Sequence, residues 1–462
     1  MNFQINKKEN SSESLFTFPF PYFPPKGSLF SNVGFLSLWG AQILTQIGIR
    51  LFDFVLAIDI FKLTKSNASV SFLILSYGAP ALLFSSFAGI LVDKWNKKGT
   101  ILAVNLLRFL LIFSFIYVNK NVPIILLYAF LASLVSQFFV PAEGSLIPLL
   151  VRKDNLLTAN SLFTLTYYSS TALGFIGAGP LIFTLGGKGA YIFISLLFLV
   201  SSFLTIFIPN KEKKFLFSFL LRKNKVTKEF IFSQLKEGLY LIRRTPTLKY
   251  ALLFMSISQI IVAMYMSLMP GLAVTILGLR PEDSSIYLMG PSALGMVLGA
   301  IFISRFGKKI GVYNLIKLGA LGTGIAFAFI SKLPNLQKIS TFIQVSKVLA
   351  NISSDNLYLH YRVDTPLVLS GVFLALLSGF FNSFITVSCN TLIQKYAGVK
   401  NRGKVYGFLQ TIVNSSGAIP VILGGISADY LGISTVFAFL SVIIFIVIFF
   451  VILPSKKFLY IN

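Results

Sequence analysis

Gly89-Ile90-Leu91-Val92-Asp93-Lys94-Trp95-Asn96-Lys97-Lys98 closes an apolar run at 69 to 92, and another apolar run opens at 100. A chain that leaves some twenty apolar residues for one acid and a basic cluster, then turns apolar again, reads as two helices crossing a lipid layer and joined at its surface. In that reading Gly89 lets a neighbouring helix approach closely. Asp93 is placed to meet the positive end of another helix and nearby cations, and Lys94, Lys97 and Lys98 stay in water.

The pattern continues in both directions. Of 462 residues 55% are hydrophobic and 12% charged, about half the charge of a soluble domain, so most of the surface faces something other than water. Apolar stretches fall near 33–61, 69–92, 100–118, 123–142, 156–186, 188–208, 248–275, 284–304, 312–331, 367–388, 403–428 and 434–453. Each is long enough to cross a hydrocarbon core of about 30 Å. The expected fold is an all-α polytopic membrane protein with twelve transmembrane helices in two six-helix halves.

Forty Lys+Arg against fifteen Asp+Glu would point to nucleic acid in a soluble chain. Here most of them fall in alternate loops once both termini are placed in the cytoplasm, and Arg50, Arg108 and Lys317 lie within helices. The basic excess is therefore topological, and nucleic acid is not an expected partner. One Cys, Cys389, and one His, His360, exclude an internal disulfide and a Cys/His zinc site. No metal, cofactor or catalytic residue is expected.

The expected organisation is a disordered cytoplasmic lead at 1–32 without a removable signal peptide, an N-terminal half at 33–208, a linker at 209–247, a C-terminal half at 248–453 and a cytoplasmic tail at 454–462. In the linker Ile231, Leu235, Leu239 and Ile242 form one apolar stripe, the pattern of a helix lying along the membrane surface. The halves repeat: Pro80 overlays Pro291, and Asp93 to Lys98 overlays Ser304 to Lys309 at a constant offset. Two such halves describe a transporter that rocks one half against the other around a midplane site.

The stretch from Gly89 to Lys98 resembles the loop between helices two and three of the major facilitator superfamily. Trp39 to Ser66, Pro141-Ala142-Glu143 through Ile147-Pro148, Leu157 to Leu162 and Glu237 through Pro246 resemble the drug and proton antiporter branch that includes macrolide-efflux and enterobactin-exporter proteins. The resemblance implies a twelve-helix transporter driven by an ion gradient and exporting small amphipathic compounds. The richness in Lys, Asn, Ile and Phe points to an AT-rich bacterial genome and so to the inner membrane, with a plastid envelope as the alternative, and a monomer is expected. Gly174, Gly177, Gly179 and Pro180 are similar to the antiporter motif of the fifth helix, while Phe183 and Thr184 depart from it. Asn96 stands where many members have Gly, a position read as tolerant of left-handed backbone.

An ionisable side chain at the bilayer centre costs roughly 2.5–3.5 kcal/mol on insertion scales, so each one asks for a reason. Gln42, Gln46, Arg50 and Asp53 share one face of the first helix and should look into a wet cavity, because lipid cannot satisfy them. Either Arg50 and Asp53 contact substrate or coupling ion, with Asp53 carrying a proton, or they form a structural salt bridge. The first reading requires substrate or another carboxylate to draw Arg50 away. Arg108 and Glu143 either close an inner gate with Asp93 or reach to the interface. Gln137, Gln259, Asn382 and Asn414 are further cavity candidates, of which Gln259 and Asn382 are preferred. Asp59 and Asp429 lie near outer helix ends and read as solvated.

The leading function is a proton-coupled exporter working by alternating access. The alternative is a facilitator for lysophospholipid or a nutrient without proton coupling. A transport-dead sensor or scaffold ranks lower, as does a membrane enzyme, for which no cluster of catalytic groups or phosphate-binding loop occurs.

Overall fold

The computed structural model describes residues 29–118, 121–152, 155–210, 244–335, 365–396 and 417–453, which are helical with short 3-10 and π turns. In chain order the helices are α1 (Val33–Thr64), α2 (Asn67–Lys94), α3 (Lys97–Ser114), α4 (Val122–Ser136), α5 (Phe139–Leu150), α6 (Leu156–Ile206), α7 (Pro246–Thr275), α8 (Gly290–Ile310), α9 (Val312–Ile330), α10 (Thr365–Tyr396), α11 (Ala418–Leu431) and α12 (Ile433–Val447). Nine stretches among the described residues are long and apolar enough to cross a membrane. Most of the run expected at 403–428, all of the linker stripe, Asn414 and His360 lie outside the described residues.

Three of these helices do not match spans one to one. The expected fourth span is built from α4 and α5, separated at Gln137 and Phe138 and running together from Val122 to Leu150. At 51 residues α6 would be about 76 Å long if straight, more than twice the hydrocarbon thickness. It breaks at Gly186 (φ 67°, ψ 173°), a conformation open essentially to glycine alone. The two limbs then run back past the same helix: Gly174 of the first packs on Arg50, and Phe198 of the second packs on Gly48.

In the C-terminal half small residues let two helices touch backbone to backbone. A Cβ on Gly295 of α8 would lie 2.0 Å from the Leu376 carbonyl oxygen of α10, and one on Gly379 of α10 would lie 1.9 Å from the Ser292 oxygen.

The halves meet at the end of the bundle where α1 turns into α2. Lys62 Nζ lies 2.8 Å from Glu282 Oε1. The Gly179 amide donates to Ser285 Oγ at 2.9 Å. Asp429, at the end of α11, accepts from Ser66 Oγ at 2.5 Å, the Asn67 amide at 2.7 Å, Asn67 Nδ2 at 3.0 Å and the Ala68 amide at 3.1 Å. A carboxylate of one half thus caps the orphan N–H groups that open α2 in the other. Asp429 is accordingly a capping group rather than the solvated acid expected, and Asp59 too is engaged, accepting from Tyr191 Oη at 2.8 Å.

Partial burial works against the Asp429 carboxylate, but hydrogen bonds from Ser66, the Asn67 and Ala68 amides and the Asn67 side chain outweigh it and hold its carboxyl below the usual carboxylate range. A lowered native value means the stabilisation is present above the ordinary pKa and lost only as pH falls through the lowered one. Asp429→Ala is expected to raise the reactivity of a cysteine introduced by Ser71→Cys toward a membrane-impermeant maleimide. Acidifying the parent to about pH 5, still above the usual Asp range, is expected to leave that reactivity low. Gly379→Val, forced against Ser292, is expected to destabilise the protein by about 1–3 kcal/mol, read as a lower melting temperature in detergent that the lipid-facing Leu369→Ala does not produce.

Candidate functional site

The polar stripe lies against the first limb of α6. Gln42 is buried and its Nε2 donates to the Phe163 carbonyl at 3.2 Å, leaving Oε1 buried without a partner. Gln46, one turn on, is also buried. Another turn along, Arg50 Nη1 meets Asp53 Oδ2 at 3.3 Å. Arg50 Nη2 donates to Tyr167 Oη at 3.1 Å, with the guanidinium 5.8 Å from the Tyr167 ring centroid. Gly174 has no side chain to push this pair aside: a Cβ there would sit 2.5 Å from Arg50 Cβ. Tyr77 Oη of α2 donates to the Asp53 carbonyl at 2.8 Å, and Ser133 Oγ of α4 to the Tyr77 carbonyl at 2.6 Å.

A second polar group occupies the adjoining side of α1. Thr45 Oγ1 lies 2.8 Å from Ser201 Oγ and donates to Asn105 Oδ1 at 3.3 Å, while Asn105 Nδ2 donates to Ser201 Oγ at 2.9 Å. Arg108 of α3 donates to Asn105 Oδ1 at 3.4 Å and lies between the Phe139 and Phe198 rings, 5.1 and 5.5 Å from their centroids. Arg108 is 3% exposed, so the expectation that it reaches the interface is corrected: aromatic faces and an amide hold the cation inside. The Nε atoms of Arg50 and Arg108 and the Oε1 of Glu143 are buried without hydrogen-bond partners.

The turn after α2 acts differently from expectation. Asn96 is extended (φ −72°, ψ 117°) and its Oδ1 accepts from the Gly99 amide at 2.8 Å, so it serves as the N-cap of α3 rather than as a left-handed residue. A Cβ on Gly89 would meet nothing within 4 Å, so no helix presses on it here. Lys97 Nζ donates to the Trp95 carbonyl at 3.1 Å and Lys98 Nζ to the Ile206 carbonyl at 2.7 Å. Lys98 thereby satisfies an orphan carbonyl at the negative end of α6. The side chains of Asp93 and Lys94 lie outside the described residues.

In the C-terminal half Asn382 is buried, and its Oδ1 accepts from Ser258 Oγ at 2.8 Å and Thr386 Oγ1 at 3.1 Å. Ser258 Oγ also lies 3.0 Å from Thr386 Oγ1, so Ser258 joins α7 to α10. Gln259 is half-buried on α7, and Gln137 donates back to the Ser133 carbonyl at 3.0 Å beside the break between α4 and α5. Between α7, α9, α10 and α12 runs an apolar crevice lined by Phe254, Ile257, Ile261, Ile316, Ile385 and Ile444. The sequence reading missed Thr45, Ser201, Tyr77 and Tyr167. Single hydroxyls bond their own helix so readily that they carry little signal.

The sequence profile of the Major Facilitator Superfamily matches residues 38–351 and 359–458. The chain belongs to this superfamily. It is an integral membrane transporter whose substrate is a small molecule. Among similar proteins, the uncharacterized MFS-type transporter YfiS of Bacillus subtilis is 23% identical over 88% of this chain and 90% of its own length. Macrolide efflux protein A of Streptococcus pyogenes is 23% identical over 65% of this chain and 73% of its own. A bacterial homologue of the human lysosomal transporter Spinster, in an inward-facing and unoccupied conformation, shares the fold with a TM-score of 0.68 at 13% identity, over 93% of this chain and 97% of that one.

In this superfamily member the Arg50–Asp53 pair can be tested for mutual dependence. Removing one partner of a partly buried pair strands the other charge, which costs up to about 3 kcal/mol, whereas replacing both with apolar groups is nearly neutral. Arg50→Met is therefore expected to lower the melting temperature more than Arg50→Met combined with Asp53→Leu. Equal or additive losses would show that the two charges are solvated independently.

Proposed function

We propose that the protein is a proton-coupled exporter of small amphipathic compounds, with Asp53 as a proton carrier and the α1 stripe of Gln42, Gln46, Arg50 and Asp53 lining the transport path. The carrying observation is the Arg50–Asp53 pair, set near the middle of α1 with side chains 26% and 15% exposed. An ion pair in that position is costly to build and is the usual mark of an ion or substrate pathway. Gln259 and Asn382 belong to the same proposal more weakly, Asn382 because its amide is already shared with two hydroxyls.

Support for an amphipathic substrate comes from the division of labour between halves. The charged groups Arg50, Asp53, Arg108 and Glu143 lie in the N-terminal half, and the apolar crevice lies in the C-terminal half. A compound with a polar head would find its partners in the N-terminal half, and its apolar body would require the C-terminal crevice, too narrow for it as it stands, to widen. Similarity to a macrolide efflux protein supports export.

In this reading the α2–α3 turn, with Lys97 and Lys98, faces the cytoplasm and both termini lie on that side, supported by the excess of basic residues in alternate loops of the sequence. The clamp of Lys62, Glu282, Ser285 and Asp429 then closes the outer end, so the halves are joined outside and rock open toward the cytoplasm, the arrangement of an inward-facing transporter. A bacterial inner membrane is the proposed location, with the proton gradient as driving force and the monomer as working unit.

The test is reconstitution in vesicles with a pH-sensitive dye inside, an imposed pH gradient and pooled amphipathic compounds. Substrate-triggered proton movement is expected in the parent and is expected to fall to background in Asp53→Asn. Transport that persists without proton movement would give the reading to an uncoupled facilitator and leave Asp53 as the structural partner of Arg50.

A further inference from the structure

We infer that Glu143 is a second proton-binding site of this transporter, governed by Arg108 and separate from Asp53. The inference rests on the transporter reading above but not on Asp53 carrying a proton. Glu143 is 8% exposed, and its Oε1 is buried without a hydrogen-bond partner. Carboxylates fixed for structure sit against an arginine or accept several N–H groups. The cation that would pair with Glu143 is instead held elsewhere: the Arg108 guanidinium lies between Phe139 and Phe198 and donates to Asn105. The Arg108 guanidinium lies 5.1 Å from the ring centroid of Phe139, one turn before Glu143 on α5, yet no ion pair joins Arg108 to Glu143 among the described contacts, and Arg108 Nε is also unpartnered. Two buried charges that attract but do not touch are poised for one to be neutralised by a proton.

No other described group competes for this role. The helices packed against α5 are α1, α2, α3, α4 and α6. On α1, Arg50 and Asp53 engage each other and Tyr167, while Asp59 accepts from Tyr191 of α6 and Lys62 pairs with Glu282 at the far end. On α2, Tyr77 donates to the Asp53 carbonyl. On α3, Lys97 and Lys98 donate to backbone carbonyls, and on α4 Tyr128 bonds Ser114. Lys188 of α6 is exposed next to the Gly186 break. The side chains of Asp93, Lys94 and Tyr168 lie outside the described residues.

Arg108 is also the cation set between the two carboxyls, reaching toward α5 at Phe139 and bonded to Asn105, which holds Thr45 of α1, the helix of Asp53. When Glu143 takes a proton from hydronium at the α2–α3 end, about 10 Å along α5 from Leu150, Arg108 is left to Asp53. When Glu143 releases it, Arg108 is shared again. The proton moves only between water and a carboxylate oxygen, and no covalent bond to carbon changes.

The test uses the full chain in lipid nanodiscs and needs no substrate. Infrared difference spectra are recorded against pH in H2O and D2O, following the C=O stretching band of protonated carboxyl. A band that disappears in Glu143→Gln and survives in Asp53→Asn is the expected result. A Glu143→Gln spectrum superimposable on the parent would overturn the proposal while leaving the α1 transport path standing. If that variant fails to fold, the parent is treated with dicyclohexylcarbodiimide, which adds across a protonated carboxyl to leave a stable N-acylurea. Peptide mass spectrometry is expected to find Glu143 labelled at neutral pH and progressively less at alkaline pH, and an unlabelled Glu143 throughout the range would overturn the proposal.

Discussion

Lipid cannot solvate a charge, and that constraint organises the N-terminal half. Arg50, Asp53, Arg108 and Glu143 stand in segments with apolar flanks, so each must be answered by protein or neutralised by a proton. The answers come from different helices: Tyr167 on α6 for Arg50, the two rings of Phe139 and Phe198 and Asn105 for Arg108. The break at Gly186 makes this arrangement geometrically possible, because it returns α6 along the same helix that carries the stripe. Gly174 then removes the one side chain that would hold the first limb off Arg50.

The two halves solve different problems. The N-terminal half concentrates polar groups between α1, α3, α5 and α6, and several of those groups are left short of partners. The C-terminal half is fitted through glycines at 295 and 379 and through a closed hydroxyl cluster around Asn382. Buried polar atoms without partners occur in both halves, Thr323 and Ser388 among them in the C-terminal one. Among the described residues away from the clamp, however, the charged groups with unpartnered atoms, Arg50, Arg108 and Glu143, all lie in the N-terminal half and mark where ligand, water or protons have something to contribute. The clamp between halves is also economical in kind, built from one ion pair, one amide-to-hydroxyl bond and one capping carboxylate. Such contacts can be broken and remade without disturbing either helical bundle.

The membrane-spanning architecture was legible because hydropathy and loop charge report it directly, residue by residue. The charged stripe was legible for the same reason, an ionisable group in an apolar run being conspicuous. What escaped the sequence has a common physical cause: the partner lies far away in the chain. Asp429 looks like a solvated acid at a helix end until Ser66, Asn67 and Ala68 of the other half are placed over it. Arg108 looks able to reach the interface until two phenylalanines from different helices enclose it. Asn96 and Gly89 were misread for a local reason. Their residue types permit special backbone or close packing, and the structure uses Asn96 as a cap and leaves Gly89 in open space.

Alternating access through a clamp at one end is the central claim, and paired distances across the halves test it most directly. With Cys389 replaced, spin labels would be placed through Leu63→Cys and Tyr430→Cys at the clamped end, and through Phe207→Cys and Phe306→Cys at the other, all at exposed positions. Distances measured by double electron–electron resonance in lipid, across a pH range and in Asp53→Asn, are expected to move in opposite senses: the clamped pair separates as the opposite pair closes. Distances that stay fixed at both ends, or that change together, would contradict the account.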